Sequence, residues 1–235
     1  MRLDRFLAEC GLGTRTEVKK MIRSGAVTVN GKPVTKGDVH ITPQSDTVTA
    51  FGQEAVYRKF IYLMLNKPQG YISATRDGRT PTVMDLVPEE YLHFEPFPVG
   101  RLDIDTEGLL LLTNDGDLAH RLLSPKKHIP KTYVAQLEKP ISNQDIEEFK
   151  KGITLDDGYK TLPAELEMLS ENNGYWAEVI IHEGKFHQVK RMFKAVENQV
   201  LYLKRTKMNR LSLDSNLPLG AVRELTEAEL ELLTP

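Results

Sequence analysis

Apolar residues fall at helical spacing at the start of the chain, at Leu3, Phe6 and Leu7, and predict a short helix that Gly11 and Gly13 interrupt. Val18, Met21 and Ile22 form the apolar face of a second helix, capped at Thr14 or Thr16 and ended by Gly25. Residues 26–29 and 47–50 read as short strands, and Asn30-Gly31 is a strong signal for a tight hairpin turn. Two helices and a small twisted sheet therefore occupy residues 1–60, with 51–60 a polar connection to the larger remainder of the chain.

Beyond residue 60 the pattern changes to strands with scattered helices. Residues 61–66 and 108–113 are apolar runs of strand length, the second ended by Asn114-Asp115-Gly116. Asp117 is placed to cap a helix over 118–123, and Ser142 opens a helix that Gly152 closes. Residues 132–137, 163–169, 176–182, 200–206 and 210–213 read as strands, with a turn at Asn172-Asn173-Gly174. Val189, Met192, Phe193 and Val196 give a helix over 187–197 its apolar face, and Thr226 with Glu229 forms a capping box for a last short helix. The fold class is α+β: a small N-terminal module at 1–60, and a domain at 61–235 built on a largely antiparallel sheet.

Composition narrows the class of protein. The chain has 235 residues, 31 Lys+Arg against 33 Asp+Glu, and a single cysteine, Cys10. A disulfide framework and a cysteine-based zinc site are excluded. The N-terminus lacks a signal-peptide pattern, and the longest apolar run, 109–112, is far short of a membrane span. A cytoplasmic location is expected. The near-neutral total hides a split: residues 1–60 hold 10 basic and 6 acidic residues, whereas 61–235 hold 21 and 27. Within the second part, 185–210 carries eight basic residues and one acid, and 138–178 is acidic. In the second helix Arg15, Lys19 and Arg23 fall on one stripe beside Lys20, with Arg2, Arg5 and Lys32 close by in sequence. Such a stripe next to a tight turn suits the phosphate backbone of structured RNA. The acids of 138–178 are expected to face away from it.

Common catalytic motifs are missing: the sequence has no P-loop, no G-x-S-x-G and no H-E-x-x-H. Two stretches concentrate chemistry instead. Residues 100–108, GRLDIDTEG, place Arg101, Asp103, Asp105 and Glu107 in a glycine-flanked loop before an apolar strand. Carboxylates beside a buried strand cost free energy unless paired. The loop reads either as a turn with solvated acids or as the seat of a nucleophilic or general-base carboxylate. Residues 183–192, EGKFHQVKRM, open a basic helix after a glycine-bearing turn, suited to a phosphate or to holding an aspartate ionised. His182 and His187 have poor metal-ligand spacing.

The segment RLDRFLAECGLGTRTEVKKMIRSGAVTVNGKPV resembles the RNA-binding module of ribosomal protein S-four. The rest resembles the RsuA-like branch of the pseudouridine synthases that modify ribosomal RNA. Four motifs stand in order: Asn66-Lys67-Pro68-x-Gly70, the run from Gly100 to Gly116, Lys131-Thr132-Tyr133, and the stretch 183–192.

The resemblance implies cofactor-free breakage of a uridine's N-glycosidic bond, rotation of the uracil, and rejoining through C5. Asp103 matches the family's nucleophilic aspartate, Tyr133 the tyrosine that packs on the uracil, and Lys190 the basic residue that pairs with the aspartate. Arg101 would help flip the target nucleotide. His187, Gln188 and Arg191, with Arg2, Arg5, Arg15, Lys19, Lys20, Arg23 and Lys32, would contact RNA. The implied partner is ribosomal RNA in a partly assembled particle, bound by a monomer without metal. The implied target is the RsuA-type site in small-subunit 16S rRNA, although sister enzymes of large-subunit rRNA share these motifs. The chain departs from the family pattern twice: Glu197 stands where a glycine is expected before Asn198, and Met208-Asn209 where an apolar residue and a glycine are usual.

Overall fold

The computed structural model describes residues 1–170 and 174–233. The turn expected at Asn172-Asn173 lies outside the described residues. The chain divides into two compact units, one of residues 1–61 with 88–95 and one of residues 62–87 with 96–235.

In the first unit, helices α1 (Leu3–Glu9) and α2 (Arg15–Arg23) bury Leu3, Phe6, Leu7, Val18 and Ile22 against Val27 and Val48 of the sheet. Thr14 caps α2: its hydroxyl accepts from the Glu17 amide while the Glu17 carboxylate accepts from the Thr14 amide. Strands β1 (Val27–Val29), β2 (Lys32–Pro33), β3 (Val48–Ala50) and β4 (Gln53–Glu54) form an antiparallel sheet in the order β2-β1-β3-β4. Asn30 and Gly31 both have positive φ, as the tight hairpin requires. The connection expected at 51–60 begins inside this sheet, because Phe51 and Gly52 also adopt positive φ and turn the chain into β4. Helix α3 (Glu89–Leu92) completes the unit, and at four residues it is too short to show a helical pattern in the sequence. The His93 ring lies so near Gly11 that a Cβ at that glycine would stand 2.7 Å from it, and Arg58 stacks 5.5 Å from the Phe94 ring centre.

Among the described residues the second unit has nine strands: β5 (Tyr62–Lys67), β6 (Phe97–Pro98), β7 (Glu107–Thr113), β8 (Lys131–Leu137), β9 (Glu165–Leu169), β10 (Tyr175–Ile181), β11 (Val200–Met208), β12 (Leu211–Ser212) and β13 (Val222–Glu224). The sheet order is β13-β5-β7-β11-β8-β10-β9, with β6 on β7 and β12 on β11. Every pairing is antiparallel except β7 with β11, so the α+β class with a largely antiparallel sheet holds. Leu109–Leu112 run unbroken because both faces of β7 are covered, each leucine being 3% exposed or less.

Helices α4 (Gly116–Leu123), α5 (Asn143–Lys151), α6 (Gln188–Ala195) and α7 (Glu227–Glu231) flank the strands. Asp115, not Asp117, caps α4. Its carboxylate accepts from the Leu118 amide at 3.0 Å and from the Tyr62 hydroxyl at 2.9 Å, because the helix begins earlier than its apolar residues suggest. Among the described residues no helix is long and apolar enough to cross a membrane.

Candidate active site

Four neighbouring strands deliver the site. The loop before β7 carries Asp103, β11 carries Arg205, β8 carries Tyr133, and the turn after β10 leads into α6 with His187 and Lys190. Asp103, Tyr133, His187 and Arg205 line one cleft of about 730 Å³.

Lys190 Nζ lies 3.2 Å from Asp103 Oδ2 and 2.5 Å from Asp105 Oδ1, so one ammonium is shared between two carboxylates. The expected Lys190–Asp103 pairing is therefore accompanied by a shorter contact to Asp105. Burial alone would raise the Asp105 pKa, but the Lys190 hydrogen bond and charge outweigh it and hold the carboxyl below its usual range. His187 approaches Asp103 from the other side, Nε2 to Oδ1 at 3.6 Å. It stacks on Phe186 with ring centres 3.8 Å apart, and Phe186 is itself 75% exposed. His187 adopts a left-handed φ of 49° as it opens α6.

The Asp103 loop is clamped from behind. Lys67 is fully buried, and its Nζ donates to the carbonyls of Pro68, Asp103 and Thr106 at 2.9, 3.1 and 3.0 Å. The Ser73 hydroxyl both accepts from the Leu102 amide and donates to the Leu102 carbonyl, each at 3.0 Å. Burial pushes the Lys67 pKa down to about 8. Neither clamp is evident from sequence: Lys67 stands in a motif that assigns it no task, and Ser73 stands in none. The Asn-Lys-Pro-x-Gly spacing signals a turn, whereas the loop carbonyls that Lys67 serves lie 36 to 39 residues away.

Tyr133 is 7% exposed on the cleft wall, and Arg101 is exposed at its rim. Gln188 is buried and holds the turn, its amide oxygen accepting from the Lys185 amide at 2.8 Å and its Nε2 donating to Glu183 at 3.1 Å. Arg191 pairs with Asp156 and Asp157. Those two acids belong to the acidic stretch 138–178, so at this point the stretch turns toward the helix bearing Lys190 instead of away from it. In the first unit Arg15, Lys19, Lys20, Arg23 and Lys32 are exposed. Arg2 and Arg5 are also exposed but pair with Asp4 at 2.8 Å and Glu9 at 2.6 Å. Among the described residues no three His, Cys, Asp or Glu side chains gather as metal ligands.

A buried tyrosine wall, an aspartate on a clamped loop and a lysine facing it are the parts expected of a pseudouridine synthase. The family model for RNA pseudouridylate synthase matches residues 61–195, and that for the S4 domain matches residues 1–47. The chain belongs to the RNA pseudouridylate synthase family, enzymes that isomerise uridine, and carries an N-terminal S4 domain. It is 55% identical to the uncharacterized RNA pseudouridine synthase YtzG of Bacillus subtilis over 99% of this chain and 98% of that one. It is 39% identical to ribosomal small subunit pseudouridine synthase A of Escherichia coli over 98% of each. A solved structure described as a pseudouridylate synthase is 38% identical and superimposes with a TM-score of 0.69 over the whole of both chains.

Proposed function

We propose that the chain converts a uridine of ribosomal RNA to pseudouridine, at the RsuA-type site of small-subunit 16S rRNA, with Asp103 as nucleophile. The observation that carries the reading is Asp103 held between Lys190 at 3.2 Å and His187 at 3.6 Å in the cleft walled by Tyr133. A lysine and a histidine on either side of one carboxylate fix its position for attack on a bound nucleotide. The small-subunit target is supported by the relatives named ribosomal small subunit pseudouridine synthase A, which align along nearly the whole chain.

In this reading Asp103 attacks the ribose, Tyr133 packs on the uracil, and Arg101 at the rim helps the target nucleotide leave its stack, at a cost of roughly a few kcal/mol. The enzyme works as a cytoplasmic monomer on a partly assembled particle and needs no cofactor. Residues 1–60 supply a basic footprint for the RNA, with His187 contributing at the site, whereas Arg191 is engaged by Asp156 and Asp157.

The test is Asp103→Asn. The variant is expected to form no pseudouridine and to keep its RNA affinity. Pseudouridine mapping of 16S and 23S rRNA from cells lacking the gene should show one modified 16S position lost. Full activity of the variant refutes the nucleophile, and loss confined to 23S refutes the target.

A further inference from the structure

Two buried cations in the cleft have no task in the mechanism above. Lys131 is 8% exposed and Arg205 is 2% exposed, and both line the cleft. Sheet register brings them to Tyr133: Arg205 is its partner across β8 and β11, and Lys131 lies two residues before it on the same face of β8. Arg205 Nε donates to the Leu109 carbonyl at 2.8 Å, while its Nη2 is buried with no hydrogen-bond partner among the described residues. Lys131 Nζ donates to the Ile129 carbonyl at 3.0 Å.

The carboxylate nearest in influence is Glu183. Its oxygens already accept from the Tyr159 hydroxyl, the Leu162 amide and Gln188 Nε2. Lys131 thus feels a second buried cation and an anion that is already occupied. Burial and the neighbouring Arg205 lower the Lys131 pKa to about 8, against the opposing pull of Glu183. Such an arrangement is costly unless something negative arrives there.

We propose that Lys131 and Arg205 form an anion-stabilising floor that binds the carbonyl oxygens of the target uracil and holds the negative charge it gains when it leaves the ribose. The proposal rests on the reaction assigned above. There, an Asp103 oxygen bonds to C1′ and the C1′–N1 electron pair departs with the ring. The ring becomes a uracil monoanion with charge spread over N1, O2 and O4. After the ring turns, C5 returns an electron pair to C1′ and the carboxylate is released. C5 loses its proton and N1 gains one, so atoms and charge balance without an oxidant or reductant. Fixed cations aimed at developing charge in a water-poor cleft lower that barrier. Uracil is the fitting occupant because it is flat and apolar enough to pass Tyr133, Ile181 and Leu203 of the cleft wall. A phosphate would have to shed its hydration to reach so buried an arginine.

The experiment measures single-turnover pseudouridine formation from pH 6 to 10, and RNA affinity, for the full-length parent, Lys131→Met and Lys131→Arg on a 16S rRNA fragment. Lys131→Met should lose about a hundredfold in rate, with RNA affinity within about twofold of the parent (the RNA being held mainly by phosphate contacts) and thermal stability undiminished. The parent's rate should fall as pH rises through about 8, where Lys131 discharges, and Lys131→Arg should move that limb upward. Arg205→Lys is a second variant, expected to lose rate without losing RNA affinity. A Lys131→Met enzyme with the parental rate and pH profile overturns the proposal. Loss of RNA affinity in step with rate also overturns it and marks a phosphate site. A parent that forms no pseudouridine overturns the assigned reaction and the proposal together, so the two failures are distinguishable.

Discussion

Glu197 and Asn209 stand where family glycines are expected, and both hold left-handed backbone, with φ of 57° and 54°. The sequence therefore flags a real geometric demand at each position even though the residue is wrong for it. A β-carbon in that region costs about 1–2 kcal/mol, less for asparagine than for glutamate. Asn209 also donates to the Leu233 carbonyl at 3.2 Å. Glu197→Gly should accordingly stabilise the protein by about 0.5–1 kcal/mol in urea denaturation, after allowing for the freer unfolded chain. Asn209→Gly should be close to neutral. The same contrast governs the site. Asp103, Tyr133 and Lys190 are legible because each sits in a contiguous motif. Lys67 as a loop clamp, Asp105 as a rival for Lys190 and Arg205 beneath the tyrosine are not, since each depends on a partner tens of residues away.

Among elements, the junction of β7 with β11 is the least forgiving. Gly108 has a φ of 99°, and a β-carbon there would lie 2.2 Å from the Arg205 carbonyl oxygen, a backbone atom that cannot move aside cheaply. Gly108→Ala is expected to cost at least about 3 kcal/mol or to prevent folding, read by thermal unfolding and soluble yield. The strand itself is evident from its leucine run, but its single parallel pairing is not, because β11 lies some ninety residues further on. Strand β13 escapes sequence reading for a different reason. It has three half-buried residues and no alternation to detect.

Near the chain end Leu233 is buried in the core of the second unit, and Arg223 adds ion pairs, donating to Asp214 at 2.9 Å and to Glu229 at 2.8 and 2.6 Å. The Arg223 hydrogen bond holds the Glu229 pKa down at about 2 despite partial burial. A depressed carboxyl stabilises the fold above its unfolded pKa, near 4.5, and loses that contribution as pH falls toward 2. Glu229→Gln should therefore cost on the order of 2 kcal/mol at pH 7, with the gap from the parent narrowing as pH falls from about 4.5 toward 2 in denaturation curves.

For the whole molecule, a net charge of -2 conceals an uneven layout. Arg15, Lys19 and Arg23 are exposed on α2 as the sequence stripe implies. Replacing all three with alanine should weaken binding to rRNA and flatten the salt dependence of log K by about 0.7–0.9 for each phosphate no longer neutralised, measured by titration at several salt concentrations. An unchanged slope would remove α2 from the RNA footprint. The acidic stretch is harder to place from sequence. Asp156 and Asp157 neutralise Arg191, so part of its charge balances the basic helix, and linear charge counts cannot register such pairing.

The first unit also claims residues 88–95, which come after the opening strand of the second. The chain consequently passes between the units three times. A deletion of residues 1–60 would leave His93 without the Gly11 it lies against and Phe94 without its Arg58 contact. Grafting this RNA-binding unit onto another enzyme would need three splice points instead of one, and a single recombination event near residue 61 would transplant only part of it.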